Sequence, residues 1–191
     1  MNEIFDDIMK MFDELLVSGH PAVIHFPIIG IVMAMAAGFT ALFFAILIDI
    51  GDYQGWMTDS RRAYLEKFVD RYGFASWIMD FMGLVGLIVA AWTGFRSAGS
   101  VETAVSSDLL AFKIRLTIYV FFLLLTPLLL KLYMTYLGEE IFGKSRIIPL
   151  LYLLPIVISA FLTIMISGAG GKYTYGHSIL DTLGLGFLLP G

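Results

Sequence analysis

The sequence predicts an all-α integral membrane protein: a four-transmembrane-helix bundle with an N-terminal amphipathic helix at the membrane interface. Hydrophobic residues make up 59% of the 191 residues and charged residues only 15%, which is far from the composition of a soluble domain. Four apolar stretches are long enough to cross the hydrocarbon core, which takes about 20 helical residues. These stretches are continuous and do not alternate with polar residues, so they predict helices and not the strands of a barrel.

We expect a single membrane domain over residues 1–191. Residues 1–18 place apolar side chains at helical spacing between acidic residues, which is typical of a helix that lies in the membrane interface. Residues 170–191 form a glycine-rich tail that carries the third histidine, and we expect irregular backbone in the stretch "GAGGKYTYGH". The predicted spans are about 23–48, 74–95, 109–137 and 147–169.

Small residues recur at four-residue spacing in the first two spans. Such a stripe lets two helices approach closely, and it could equally form a flat wall for a planar cofactor. Both interpretations predict a tight bundle. The stripes are Gly30, Ala34 and Gly38, and Gly86, Ala90 and Gly94.

An even number of spans puts both termini and the 96–108 loop on one face of the membrane. Basic residues are fewer on that face than on the other, so the positive-inside rule favours both termini outside a prokaryotic cell membrane. The terminal face has Lys10, Arg96, Lys113, Arg115 and Lys172; the other face has Arg61, Arg62, Lys67, Arg71, Lys131, Lys144 and Arg146.

The composition excludes several classes of chemistry. Without cysteine the chain can form neither disulfides, nor thiolate-ligated iron–sulfur clusters, nor the thioether bonds of c-type haem. No nucleophile–base motif stands out, and no basic patch suggests a nucleic acid partner. Any cofactor is therefore expected to be held by histidine, methionine or carboxylate side chains.

All three histidines fall at predicted span ends on the terminal face. His20 and His25 lie in "GHPAVIHFP" at the start of the first span, and His177 follows the fourth. A b-type haem needs one or two axial imidazoles from facing helices, and we expect His25 and His177 to supply them. His20 is then a supporting, propionate-binding or second-haem residue. Arg96, Lys113 and Arg115 are candidates for pairing with propionates, or else they flank the membrane as ordinary basic residues.

Two alternatives stay open. Three histidines also suit a copper or zinc site with one open position, in which Asp181 could orient the ring of His177. The histidines could instead be interfacial residues of a structural or assembly subunit. Separately, Asp80 is the only acid inside a predicted span. It is a candidate proton-relay or quinone-facing group, or else a partner of Arg71.

Three motifs carry a resemblance to a known family. "HPAVIHFP", "AAWTGFRS" and "GAGGKYTYGH" together resemble a prokaryotic family of four-helix membrane proteins of unknown function, over roughly residues 19–180. The matching positions are His20, Pro21, His25, Phe26, Pro27, Gly94, Tyr175 and His177. The resemblance implies a b-type haem or redox membrane protein that acts beside respiratory components, with these residues near the cofactor.

These observations predict an electron-transfer subunit embedded in the lipid bilayer. It would bind b-type haem near the outer face and exchange electrons between the quinone pool and a partner redox protein. A chain this short is expected to be one subunit of a larger membrane redox complex, and not an enzyme alone.

Overall fold

Four long helices form the protein in a computed structural model, which describes residues 25–97, 107–143 and 145–190. All four are long and apolar enough to cross a membrane, which confirms the predicted all-helical architecture with four apolar helices of membrane-spanning length. The predicted interfacial helix at 1–18 lies outside the described residues. The helices are α1 (His25–Tyr53), α2 (Asp59–Ser97), α3 (Asp108–Tyr136) and α4 (Ile147–Tyr175), followed by a short α5 (Ile179–Thr182) and a 3₁₀ turn (Gly186–Leu188).

Helix α2 begins well before the apolar stretch predicted from residue 74. Residues 59–73 carry most of its charges, and Arg62 in this segment forms ion pairs both along its own helix and with α1. Arg62 contacts Asp52 at the end of α1 and lies 4.0 Å from Glu66 one turn later. Helix α2 is therefore a membrane span with a polar extension.

The four helices pack as a ring, with α1 against α2, α2 against α3, α3 against α4, and α4 against α1. The closest approach is between α1 and α2. A Cβ atom at Gly30 would lie 2.7 Å from the Cα atom of Gly83, and one at Gly86 would lie 2.9 Å from the nitrogen of Pro27. Gly30 and Gly86 are thus used for helix packing, and they do not form an open wall for a planar cofactor.

Contacts along α1 show that both of its neighbours run antiparallel to it. On α2, Gly83 is opposite Gly30 and Gly86 is opposite Pro27. On α4, Leu153 is opposite Gly38. Arg146, seven residues earlier at the start of α4, donates to the carbonyl of Ala45, seven residues later on α1. The start of α1 and the end of α4 therefore lie at the same end of the bundle, here called the terminal end; the opposite end, with residues 54–58 and 137–146, is the loop end.

Arg146 joins the helices at the loop end. Its Nε and Nη2 atoms donate to the two carboxylate oxygens of Asp49 at 2.6 and 2.7 Å. Nη2 also donates to the Ala45 carbonyl at 3.0 Å, and Nη1 donates to the Gly143 carbonyl at 2.8 Å. This bidentate ion pair links α1 to the start of α4, in agreement with the contact of Gly38 with Leu153.

The glycine-rich segment after the fourth span is helical, so the prediction of irregular backbone there was wrong. Helix α4 continues through it to Tyr175 and ends at Gly176, whose φ of 76° is left-handed. The glycines make room for neighbouring groups. A Cβ atom at Gly168 would lie 2.7 Å from Cδ1 of Leu180, and one at Gly170 would lie 3.3 Å from Nζ of Lys113.

The approach of α1 to α2 makes a testable prediction. Gly30→Leu forces the two backbones apart, because the atoms that a side chain would meet are main-chain atoms of Gly83. We expect a loss of about 1–3 kcal/mol in the free energy of unfolding, as is usual for overpacking. Thermal unfolding in detergent or lipid measures it.

The matched control is Ala36→Leu, on the exposed side of the same helix. It should leave the unfolding temperature nearly unchanged. Equal stability of Gly30→Leu and Ala36→Leu would contradict the close approach of α1 and α2.

Candidate functional site

His25 and His177 lie at the terminal end of the bundle, as the even number of spans predicts. His25 is the first residue of α1, with an exposed side chain, two residues before the buried Pro27. His177 directly follows Gly176, and its side chain is also exposed. His20 lies outside the described residues.

The two histidines lie at the same end of the bundle but at different heights along its axis. Counted along the antiparallel helices from the contact of Gly38 with Leu153, His25 is at the height of Ile166 on α4. The His177 carbonyl is at the height of Gly171, because it lies 3.5 Å from the Cβ position of that glycine. The offset of five residues corresponds to about 7–8 Å along the helix axis. The part of the chain that the structure describes contains no group of three or more His, Asp or Glu side chains able to hold a metal ion, and a three-histidine site would need His20.

One of the three candidate cations lies beside His177. Lys113 on α3 points its Nζ atom at Gly170 of α4, one residue from the glycine that contacts the His177 carbonyl. Arg115, two residues further along α3, is exposed.

Arg96 lies further out along the bundle axis. From the Gly30–Gly83 contact, it is about 12 Å beyond the level of His25, and its guanidinium lies 5.8 Å from the centre of the Trp92 ring. Tyr175 is the last residue of α4, and its side chain lies outside the described residues. Of the three candidate cations, Lys113 is therefore the one shown to contact the end of α4 that leads to His177.

Asp181 holds the chain that carries His177. Its Oδ2 atom accepts a hydrogen bond from the Ser178 backbone N–H at 2.7 Å, and its own backbone N–H donates to the Ser178 hydroxyl at 3.3 Å. This is a capping box at the start of α5. The hydrogen bonds from Ser178 lower the pKa of the Asp181 carboxyl below its ordinary value, and the charges of Lys172 and His177 add to that effect.

The tail beyond α4 folds back on the bundle. Leu180 and Leu189 are buried against Ala169, and Lys172 Nζ donates to the Pro190 carbonyl at 2.9 Å. Apolar burial and this hydrogen bond together fix the tail. His177 is consequently held between the end of α4 and a packed segment.

Asp80 lies in the middle of the bundle with no exposed surface. Neither of its carboxylate oxygens has a hydrogen-bond partner among the described residues, so the expected alternative of a contact with Arg71 is not found there. The Trp77 Nε1 and Ser159 Oγ atoms are also buried and have no hydrogen-bond partner among the described residues. Buried polar groups normally have hydrogen-bond partners, so each of these unsatisfied atoms requires a physical explanation.

Sequence reasoning singled out Asp80 but missed the residues around it. Ser76 precedes Asp80 by one helical turn, and Tyr152 and Ser159 lie seven residues apart on α4; all three are buried. The Tyr152 hydroxyl donates to Ser76 Oγ at 3.2 Å, and Ser76 donates to the Ala34 carbonyl at 2.8 Å. The available signal was polar residues at helical spacing within otherwise apolar stretches.

Comparison with known proteins gives no assignment: no protein-family model, no curated protein and no solved structure matches the chain. The family resemblance of the histidine motif stays a prediction. Function has to be inferred from the chain's own residues.

The capping box makes a prediction about the tail. Asp181→Ala removes the acceptor for the Ser178 N–H, so hydrogen–deuterium exchange of residues 178–185 should accelerate while exchange in α1 stays unchanged. Because the pKa of Asp181 is lowered, its stabilising effect is present above the ordinary value of 3.8 and is lost as the pH falls below it. Wild-type exchange in the tail, corrected for the intrinsic rate, should rise over that acidic range.

Asp108→Ala, which changes another exposed acid at the terminal end, is the control and should not alter exchange in the tail. Tail exchange that is insensitive to both Asp181→Ala and acid would show that the capping box does not hold this segment.

Proposed function

We propose that the protein is a membrane-embedded electron-transfer subunit that binds b-type haem at the terminal end, with His25 and His177 as axial ligands. It exchanges electrons between the quinone pool and a partner redox protein. The observation that carries the proposal is the position of both histidines at one end of an antiparallel four-helix bundle. The chain otherwise contains only one histidine, His20.

The donor set fits haem better than other redox groups. Imidazole is an axial ligand of b-type haem, and the absence of cysteine excludes thiolate ligation and covalent attachment. When bound, haem would supply one-electron chemistry. The chain would orient the group, and the Lys113 ammonium beside Gly170 is placed to neutralise a propionate.

His177 is suited to this role because its backbone is fixed. The carbonyl packs on Gly171, and the next residue, Ser178, is held by Asp181. A ligand held in this way loses little conformational entropy on binding. His25 is less rigidly supported by the described residues, although Pro27 packs tightly against Gly86 two residues later.

The proposed partners follow from the apolar outer surface of the bundle and from its short loops. Most of each helix face that points outward is apolar and suited to lipid or to other membrane subunits. The described loops are short and contain no catalytic domain. A redox partner and further subunits of a membrane complex are therefore part of the proposal.

The spectrum of purified protein tests haem binding. We expect a Soret band that shifts on dithionite reduction. Both His25→Ala and His177→Ala should abolish it, because each removes an axial ligand. Tyr119→Phe, on the exposed face of α3, is the control and should keep the wild-type spectrum.

Two results would contradict the haem proposal. Colourless protein that carries stoichiometric copper or zinc would favour a three-histidine metal site instead. Colourless and metal-free protein, purified from cells supplied with haem, would favour a structural or assembly subunit.

The orientation is also a proposal, supported by the lower number of basic residues at the terminal end. Because the chain has no cysteine, single cysteines report sidedness cleanly. A membrane-impermeant maleimide should label Thr182→Cys in intact cells and label Glu139→Cys only after lysis; both positions are exposed. The reverse pattern would place the termini inside.

A further inference from the structure

Asp80 is enclosed by protein and faces neither lipid nor water. The residue has no exposed surface, and one turn later α2 is pressed against α1, where a Cβ atom at Gly83 would lie 3.2 Å from Cγ1 of Ile31. Burying an ionised carboxylate with neither a cation nor hydrogen-bond donors costs several kcal/mol. Something must therefore neutralise Asp80 in the folded protein.

A second unsatisfied oxygen lies at the same depth. Ser159 lies six residues after Leu153 on α4, and Leu153 is opposite Gly38 on α1. The contact of Gly30 with Gly83 relates the same level of α1 to α2. Counted in this way, Ser159 is at the same height along the bundle axis as Phe81, the residue that follows Asp80 in the sequence. The Ser159 Oγ atom is buried with no partner among the described residues.

A hydrogen-bonded chain of hydroxyl groups lies next to these two oxygens. Tyr152 donates to Ser76, and Ser76 donates to the Ala34 carbonyl. Ser76 is on the same face of α2 as Asp80, four residues earlier. Tyr152 is close enough to Asp80 for the two groups to interact electrostatically, and its hydroxyl oxygen can still accept a hydrogen bond.

The surrounding helices offer no compensating charge within the described residues. Side chains of α1 and α3 that point into the bundle are apolar here, for example Ile31, Val120 and Leu124. On α4 the titratable neighbour is Tyr152.

The nearest interior cation towards the terminal end is Lys113, which lies beside Gly170, about 16 Å along α4 from Ser159. Towards the loop end, Arg71 lies nine residues before Asp80 on α2, about 13 Å along the axis, and its side chain is exposed. The half-buried Lys131 on α3 interacts with Glu140, and Arg146 is paired with Asp49. None of these cations contacts the Asp80 carboxylate oxygens.

We propose that the bundle interior contains a proton-binding site centred on Asp80, whose carboxyl group carries a proton at neutral pH and donates it in a hydrogen bond to a bound water that links it to the Ser159 or Tyr152 hydroxyl. The ligand of this site is the proton. This site is independent of haem at the terminal end, and it is suited to a proton relay within the membrane.

A proton fits these surroundings better than a metal cation does. Hard cations require several oxygen ligands that converge on one point. Here the Ser76 and Tyr152 hydroxyls already engage Ala34 and each other, and the buried side chains of Leu84 and Ile156 are apolar. A proton needs only the carboxyl group and one acceptor.

Infrared difference spectroscopy of the protein in lipid tests the site without needing access to it from solution. The wild-type minus Asp80→Asn spectrum at pH 7 should contain the carbonyl stretching band of a protonated carboxylic acid, shifted downwards in D₂O. Asp49→Asn is the matched control, because the Asp49 carboxylate is paired with Arg146 at 2.6 Å and should give only carboxylate bands. If Asp80→Asn does not fold, Asp80→Glu should move the band instead of removing it.

Two further measurements assign the surroundings. Ser159→Ala should shift the Asp80 carbonyl band, because it removes an acceptor. Thr163→Val should not, because the Thr163 hydroxyl is engaged with the Ser159 backbone carbonyl at 2.7 Å.

The proposal is overturned if no protonated-acid band at pH 7 depends on Asp80. It is also overturned if NaCl, but not choline chloride, removes that band at constant pH, because Asp80 would then bind a metal cation. Failure of haem binding would leave this band unchanged, so the two proposals can fail separately.

Discussion

The backbones of Gly30 and Gly83 meet so closely that a side chain at Gly30 would displace the other helix. In a bilayer, apolar side chains gain little by leaving lipid for protein, so helices associate through close packing and internal hydrogen bonds. This contact supplies both. It brings α1 near enough to α2 for Ser76 to donate to the Ala34 carbonyl, and it fixes which residues of the two helices are level.

The fourth helix is aligned to α1 by different chemistry. At the loop end Arg146 binds Asp49 and the Ala45 carbonyl, and in the middle of the membrane Gly38 accommodates Leu153. With α1 aligned to both α2 and α4, Asp80 and Ser159 come to one depth inside the bundle. The same alignment puts His25 and the tail with His177 at one end. The redox proposal and the proton-site proposal therefore both depend on a common register, although they concern different residues.

Hydropathy predicted the four spans because the thickness of the bilayer is a simple constraint on helix length. It did not predict the polar start of α2, which depends on contacts such as Arg62 with Asp52 on another helix. The prediction for the glycines near the end of α4 was wrong, because glycine usually marks irregular backbone. Their place in a helix is explained by close neighbours, such as Leu180 at Gly168 and Lys113 at Gly170.

The candidate sites were predictable to different degrees. Asp80 was recognisable as the one acid in a span, but its relation to Ser159 could be seen only once the helices were aligned. The common end of His25 and His177 followed from counting spans. Their offset along the axis did not, because it depends on how far α4 continues beyond the level of His25.

The distance between the two histidine positions tests the shared architecture most directly. Spin labels on cysteines that replace His25 and His177, in a chain with no other cysteine, can be measured by pulsed electron resonance in lipid. A label pair at 25 and 139 provides the reference across the membrane. We expect the 25–177 distance to be well below the hydrocarbon thickness of about 30 Å, and clearly shorter than the reference. A 25–177 distance equal to the reference would place the histidines at opposite ends and contradict the account.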